Sequence, residues 1–590
     1  MDLTKDLLSL SEYWLANPNI WFNCTPEEDQ YITKRFGHLL FLQPDLLLSL
    51  DQPFSCILLY DQISRHVKRT SIISPEQERM FSNIAIRLTE TLLPEFDSME
   101  PVKKVFTLMP FRHSGQLDRL EFCLAKIKSE KEEHPLYLRF LRATILGMSK
   151  IKSKNLRPID LEPIELTTYG TLITSIPNCL FSGKDLRSEK LFSVMKSMAK
   201  EFPKTIVLSL SGGVDSMVCS YLLADLLPDG STLKTVTINY NNRPEAKEEA
   251  YFVNCWVRYL GTIYPNISFE SYIREINELQ RDRSHHRDLY ESVTREIRFD
   301  AYRTIAGSSR DTAYRTIAGS GRDTTTHEES TSSVPVILGH NLDDCLENII
   351  NNIKKGRSLG NLRGMSPIMV VDGVTLVRPL LDISKSEIID FANRYRIPHL
   401  PNSTPTWSER GQIRDRLLPF ISSFDPAIIP GLLQLANTYQ DVYSIYSDSM
   451  NSFISENSSL DFVITKESQK TFLFWKEVFT RLAASGRMKE FPSNKSILSL
   501  CSRLQNCHYG EIRLTKNLGI HYLSSDGKEC LTFENPKIIH AHQAVQTHHA
   551  IEPHSWLPEI FLVCLVGFCM MLNILVCLLN SQKNNPHLRM

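Results

Sequence analysis

The run Ser211-Gly212-Gly213-Val214-Asp215-Ser216 constrains this chain more than any other feature. It follows the apolar stretch Ile206-Val207-Leu208-Ser209-Leu210 and precedes a helical pattern over 217–227. The order is therefore strand, glycine turn, helix start. Paired glycines let a backbone approach phosphate oxygens closely, and a helix start offers unpaired N–H groups at the positive end of its dipole. Ser211 and Ser216 add hydroxyl donors. Asp215 would repel a polyphosphate unless a Mg²⁺ lay between the two. The run lacks the Gly-Lys-Ser/Thr of a Walker A loop, which disfavours chemistry at a γ-phosphate.

The surrounding pattern extends this unit into an α/β domain. TIVLSL, KTVTINY, VPVILGH and VTLVRPL are candidate strands between 200 and 400, and long amphipathic stretches separate them. A parallel sheet covered by helices is expected over about 200–425. Residues 1–150 read as all-helical, with apolar residues at three and four spacing and few glycines. A smaller helical and mixed region is expected over 426–555. Its last part alternates, as in IRLTKNLGIHYL. With 590 residues, the chain has room for roughly three to five domains. Its 66 Lys plus Arg against 67 Asp plus Glu exclude a histone-like polycation, although a local basic stripe remains compatible with RNA binding.

Two segments stand apart. AYRTIAGSSRDT (301–312) is followed at once by AYRTIAGSGRDT (313–324), which reads as a tandem duplication lengthening a flexible surface loop. Residues 560–579, IFLVCLVGFCMMLNILVCLL, carry no charge. About 20 apolar residues span a bilayer core, so a C-terminal transmembrane helix is expected, with the rest of the chain facing the cytoplasm. The N-terminus MDLTKDLLSL has no basic leader segment and reads as neither a signal nor a transit peptide.

The motifs around the glycine turn carry a resemblance. SGGVDS is similar to the signature of the PP-loop ATP pyrophosphatases, and the blocks after it resemble those of the tRNA(Ile)-lysidine synthetases. Asn239-Tyr240-Asn241-Asn242-Arg243 stands where the family has a His-Gly-Leu-Arg-like turn. Thr294-Arg295-Glu296-Ile297-Arg298-Phe299 resembles its Ala-Arg-x-x-Arg-Tyr block. Gly339-His340-Asn341-Leu342-Asp343-Asp344-Cys345-Leu346-Glu347 resembles its His-x-x-Asp-Asp-x-x-Glu block. Arg378-Pro379-Leu380-Leu381 matches its Arg-Pro-Leu-Leu element.

The resemblance implies an ATP-dependent ligase with Mg²⁺ as cofactor. Its partners would be the anticodon loop of a tRNA and free lysine. The enzyme would adenylate C2 of a cytidine and then join lysine, releasing pyrophosphate and AMP. The implied nucleotide-binding set is Ser209, Ser211, Gly212, Gly213, Val214, Asp215, Ser216 and His340. Asp215 and Asp343 would hold the metal, and Asp215, Arg295, Asp344 and Glu347 would be catalytic.

The family's Asp-Pro-Ser-Asn and Arg-Asn-x-x-Arg stretch is altered here to Pro401-Asn402-Ser403-Thr404 and Arg410-Gly411-Gln412-Ile413-Arg414. Thiolating relatives typically carry Cys-x-x-Cys pairs, and the 13 cysteines of this chain include none. Thiolation is therefore the weaker alternative, beside a nucleotide-binding, membrane-anchored scaffold without catalysis.

Residues 1–150 resemble a second family, uncharacterised bacterial-type proteins with tetratricopeptide-like helices. The likeness rests on Tyr13-Trp14, Trp21-Phe22, Leu58-Leu59-Tyr60-Asp61-Gln62-Ile63-Ser64-Arg65-His66 and Met109-Pro110-Phe111-Arg112-His113-Ser114. No activity comes with it. Asp61, Arg65, Arg112 and His113 are the residues expected to line a polar groove.

Overall fold

Proline-led helices with capped starts build the N-terminal part of the chain. Thr25 and Glu28 close a capping box on Pro26–Phe36, and Ser74 with Gln77 does the same for Pro75–Leu92. Each cap satisfies amides that a helix start leaves open. The helices surround a core that includes Trp14, Tyr60, Phe81, Phe96 and Phe106. Trp14 meets the Phe106 ring edge-on, 5.4 Å between centroids. The helix run from Pro53 to Arg69 contains a π-turn, Leu58–Ile63, whose residues are all buried.

The coordinates are a computed structural model. They describe residues 2–532 apart from 23, 71–72, 131–133, 179–185, 280–286, 308–333, 356–361, 402–407, 458–460, 466, 489, 516–517 and 526–527. The described residues up to 443 form one compact unit and those from 444 onward a second.

The sheet of the first unit has six strands in the order β3-β2-β1-β4-β6-β5. They are β1 (Thr205–Ser209), β2 (Thr232–Asn239), β3 (Ser268–Glu275), β4 (Val336–Ile337), β5 (Ile368–Val371) and β6 (Val374–Val377). Five run parallel, and β5 pairs antiparallel with β6 at the edge. The sheet is thus parallel-dominated rather than wholly parallel. A two-residue turn at Asp372-Gly373, both at positive φ, folds β5 back as a hairpin. The candidate strands from the sequence omitted β3 and β5. In β3 the polar residues Ser268, Glu270 and Ser271 mask the apolar pattern, and in β5 two residues stay exposed. The sheet is centred on β1, because the chain leaves it toward β2 and β3 and returns to β4 on the other side. Open α/β sheets place ligands at that reversal.

The duplicated segment differs from its expectation. Ala301–Ala306 of the first copy is the last part of the helix Arg287–Ala306 rather than loop. Tyr302, Ile305 and Ala306 are buried against Val207, Val236 and Leu376 of the sheet. Burial of these side chains outweighs the loop-like composition of the segment. Residues 308–324 lie outside the described residues.

The helix Pro135–Lys154 of the N-terminal part packs along Arg287–Ala306. Leu120, Leu124, Ile145 and Met148 meet Ile276, Val293 and Ile297 there. Around that apolar seam, Ser149 Oγ donates to Asp300 Oδ2 at 3.0 Å, and Arg303 also pairs with Asp300. Arg142 pairs with Glu296 at 2.5 Å. Lys128 Nζ donates to the Glu278 carbonyl at 2.9 Å.

The second unit carries a four-stranded antiparallel sheet, β7 (Asp461–Ile464), β8 (Gly510–Arg513), β9 (Gly519–Ser525) and β10 (Lys528–Thr532), ordered β7-β10-β9-β8. Trp475, Phe462, Phe479 and Tyr522 lie in its core. Among the described residues no single helix is long and apolar enough to cross a membrane. The expected span, 560–579, lies outside the described residues.

Candidate active site

The turn after β1 is shaped by close packing. Gly212 adopts φ +81°, and a Cβ there would stand 2.6 Å from Leu400 Cδ1. Its carbonyl accepts the Leu400 N–H at 2.9 Å. Only glycine combines that conformation with that contact. Gly213, at φ −70°, is the N-cap of the helix Val214–Leu226, and no side chain caps this helix start. Gly339 faces it from the end of β4, where a Cβ would stand 3.0 Å from Ser216 N. Ser216 Oγ donates to the Gly213 carbonyl at 3.0 Å and lies 3.2 Å from Ser211 Oγ.

A cavity of about 240 Å³ opens beside this turn, at the carboxyl ends of β1 and β4. Ser209, Ser211, Asp215, Ser216, Arg295, His340 and Asp344 line it. Seven of the residues singled out in the sequence thus meet in one hollow. Arg298, Phe299, Tyr302 and Arg378 complete the polar and aromatic wall. Tyr302 OH lies 2.8 Å from Ser209 Oγ. Arg295, Arg298, Phe299 and Tyr302 all come from the helix that the N-terminal part braces.

His340 accepts from Arg378 Nε through its Nδ1, at 3.1 Å. Burial, and the nearby charges of Arg378, Arg410 and Arg298, push the imidazole down to about 3. It is neutral at physiological pH, and with Nδ1 accepting, its proton sits on Nε2. His340 therefore presents a hydrogen-bond donor rather than a base.

The carboxylates divide into two groups. Asp215 Oδ1 accepts from Asn341 Nδ2 at 3.0 Å, and Oδ2 accepts from Lys385 Nζ at 2.6 Å. Asp343 does not line the cavity, and its Oδ2 accepts the Lys385 backbone N–H at 2.8 Å. Lys385 therefore ties together the two carboxylates expected to hold metal. Its ammonium stands in the cation position at Asp215. Mg²⁺ commonly uses one or two carboxylates plus substrate phosphates, so Asp215 fits that role once Lys385 turns away.

In the second group, Asp344 and Asn341 form a capping box at the start of Leu342–Lys354. Glu347, one turn on, is fully buried and outside the cavity wall. Its Oε1 accepts from Arg414 Nε at 2.7 Å, and Arg410 Nε lies 3.6 Å from Oε2. Arg414 Nη2 also reaches Asp344 Oδ1 at 3.4 Å. Burial raises the Glu347 carboxyl above its ordinary range, the two arginines opposing the shift. Asp344 and Glu347 are thus both engaged by guanidinium groups, while Glu347 Oε2 is buried without a hydrogen-bond partner.

Sequence reasoning quoted Arg298, Arg378, Arg410 and Arg414 within motifs without assigning them to the site. It missed Lys385 and Tyr302. Tyr302 fell in the duplicated segment, and Lys385 lies 170 residues from its partner Asp215. No local pattern signals such a contact.

The PP-loop domain family matches residues 187–421, and the family described as "Bacterial protein of unknown function (DUF924)" matches residues 10–155. The tRNA(Ile)-lysidine synthase of Staphylococcus aureus (strain COL) is 27% identical over 287 residues, which cover 48% of this chain and 58% of that protein. The one from Chlamydia muridarum is 33% identical over 124 residues, covering 20% and 39%. The one from Francisella philomiragia is 24% identical over 272 residues, covering 45% and 59%. The chain thus spans less than two thirds of these relatives. Among solved structures, a U34-tRNA thiolase from Methanococcus maripaludis with its [4Fe-4S] cluster is 17% identical, covering 43% of this chain and 79% of that one, at a TM-score of 0.29. The segment 187–421 thus matches the PP-loop domain family and is similar to tRNA(Ile)-lysidine synthases, and it follows a segment, 10–155, that matches the DUF924 family.

Proposed function

We propose that this chain is an ATP-dependent tRNA(Ile)-lysidine synthase-like ligase. The observation that carries the reading is the convergence, in one hollow at the sheet's reversal point, of an uncapped helix start with Arg295, Arg298, Arg378 and neutral His340. That set suits a polyphosphate being cleaved. The hollow is smaller than the roughly 300–1,000 Å³ of a typical ligand cleft, so a nucleotide fills it and extends over the open glycine turn.

The amides after Gly213 and the Ser211 and Ser216 hydroxyls hold the phosphates. O2 of an anticodon cytidine attacks the α-phosphorus, and the bond to pyrophosphate breaks. Arg295 and Arg298 stabilise the charge that develops, and His340 Nε2–H donates to an oxygen of the reacting group. Mg²⁺ held at Asp215 would add charge neutralisation on the leaving pyrophosphate. The ε-amine of lysine then attacks C2 of the adenylated base, and AMP leaves. Asp344 orients the amine from the cavity wall, while Glu347 acts by holding Arg414.

The chain's working parts are then a helical region over 1–150, the ligase domain over 200–425 and a mixed region over 426–555. A C-terminal anchor at 560–579 would hold the enzyme against a membrane on the cytoplasmic side. Retention of the full chain in the carbonate-resistant pellet, and release of residues 1–555, is the outcome that supports the anchor.

The test of function is incubation with ATP, lysine and unmodified tRNA. Pyrophosphate release dependent on tRNA, with lysidine detected by mass spectrometry of the nucleosides, is the expected result. Nucleotide binding with no pyrophosphate under any condition would instead establish a non-catalytic scaffold. Asp344→Asn is expected to retain pyrophosphate release while losing most of the lysine product.

A further inference from the structure

Outside the wall of the nucleotide cavity, one cluster in the N-terminal helices holds more positive than negative charge. It joins two sequence blocks about 50 residues apart, Asp61-Gln62 with Arg65, and Arg112-His113. Asp61 lies on the π-turn Leu58–Ile63, and its side chain is 2% exposed. Such turns often mark functional positions in helices.

The one carboxylate of the cluster is fully used. His113 Nδ1 lies 2.9 Å from both Asp61 oxygens, Gln62 Nε2 donates to Oδ2 at 2.6 Å, and Arg65 Nη2 lies 3.5 Å from Oδ1. Burial pushes His113 below the usual histidine range, so it is neutral and donates through Nδ1. Its Nε2 is left to accept from Arg112 Nη2 at 2.9 Å.

Arg112 is therefore bonded to a neutral acceptor. It lies over the Phe140 ring at 5.7 Å, and its Nε is buried without a hydrogen-bond partner, as is the Nε of Arg65. Burial disfavours its charge, the Asp61 carboxylate opposes that shift, and the Arg65 and Arg139 guanidinium groups add to the penalty. Arg139, exposed on the helix Pro135–Lys154, lies 3.8 Å over the Phe22 ring. Arg65 and Arg112 thus share one carboxylate that His113 and Gln62 already occupy, and Arg139 adds a third positive charge acting on Arg112.

A buried guanidinium Nε with no acceptor, beside a carboxylate that other donors occupy, keeps a hydrogen-bonding demand that a bound anion would meet. Guanidinium forks match the oxygens of phosphate groups, with which they form paired hydrogen bonds. We propose that Arg65, Arg112 and Arg139 form a binding site for a phosphate-class oxyanion in the N-terminal helical region, with His113 holding Arg112 in place. Asp61 positions His113 and Arg65 for it. The site stands independently of the nucleotide cavity and of the ligase reading. Its phosphate has two sources, a small phosphorylated molecule or the backbone of an RNA.

The test is arginine labelling of the full chain with phenylglyoxal, read residue by residue by peptide mass spectrometry. Inorganic phosphate is compared with chloride at equal ionic strength. Arg65 and Arg139 are expected to be protected, their labelling slowing about threefold at free phosphate twice the dissociation constant. Arg87, exposed on Pro75–Leu92, is the control for general screening, and Arg295 reports the nucleotide cavity separately. Arg139→Gln, at an exposed position, should weaken protection of Arg65, and Arg112→Gln should abolish it. In a second arm, protection of Arg65 and Arg139 by micromolar tRNA assigns the anion to RNA. Protection by free phosphate with none by tRNA assigns it to a small molecule. Equal labelling of Arg65 and Arg139 with and without phosphate and tRNA, or protection no greater than at Arg87, overturns the proposal.

Discussion

Arg414→Met isolates the electrostatics beneath the site. Arg414 Nε lies 2.7 Å from the fully buried Glu347 carboxylate. Unit charges at that distance attract by about 6 kcal/mol at an effective dielectric constant of about 20. Desolvation of both groups offsets part of this, and removing one partner of a buried pair typically costs about 3–5 kcal/mol. Arg410 remains 3.6 Å from Oε2, so the lower end, about 3 kcal/mol, is expected. The pH dependence fixes the cause. Glu347 has a raised carboxyl in the folded protein, so stability linked to its protonation is complete at low pH and is lost as pH rises through the folded value. Without Arg414 that value rises further. The deficit of the variant should therefore be largest near neutral pH and shrink on acidification. Urea unfolding of wild type, Arg414→Met, Glu347→Gln and the double variant measures it. The double variant should recover at least half of the loss, because no buried charge is left unpaired. A loss below about 1 kcal/mol, equal at pH 7 and pH 5, with no recovery in the double variant, would refute the reasoning.

Other perturbations give equally direct outcomes. Gly212→Ala must place a Cβ at φ +81° against Leu400, and a loss of about 1–3 kcal/mol in unfolding free energy together with weaker ATP binding is expected. His340, held down to about 3, stays neutral when folded but protonates at its ordinary value when unfolded. It therefore destabilises the fold as pH falls from about 6.5 toward 3. A His340→Gln protein should lose less thermal stability over that range, read by melting temperature against pH. Lys385→Met removes the cation 2.6 Å from Asp215, and its ATP affinity should depend more steeply on Mg²⁺ concentration than that of wild type in calorimetric titrations. Asp300→Asn weakens the buried contacts to Ser149 and Arg303, with an expected cost of about 1–3 kcal/mol. Because Arg298 and Tyr302 share its helix, ATP affinity should fall with it, measured in the same titration.

The glycine turn was legible because its chemistry is local. A strand, two glycines and a helix start follow each other within a few residues, and backbone geometry alone makes them an anion cradle. The capping box at Asn341 and Asp344 was equally local in form. Lys385 against Asp215, and Arg414 against Glu347, were not, since they join side chains 170 and 67 residues apart. The duplicated stretch misled for a related reason. Its composition suits a loop, but Tyr302 and Ile305 have the sheet beneath them, and burying them keeps the chain helical.

By its order of residues alone, then, the chain determined that a helical region would precede an α/β domain whose first strand ends in a phosphate-binding corner. Periodicity and turn chemistry act over a few residues, so they can be read without a fold. Only the tertiary structure decided which charges meet. It set Lys385 on the acid beside the glycines, closed Glu347 behind two arginines and braced the arginine-bearing helix with the N-terminal helices. Charge pairing depends on distance and burial, and neither is defined until the chain has packed.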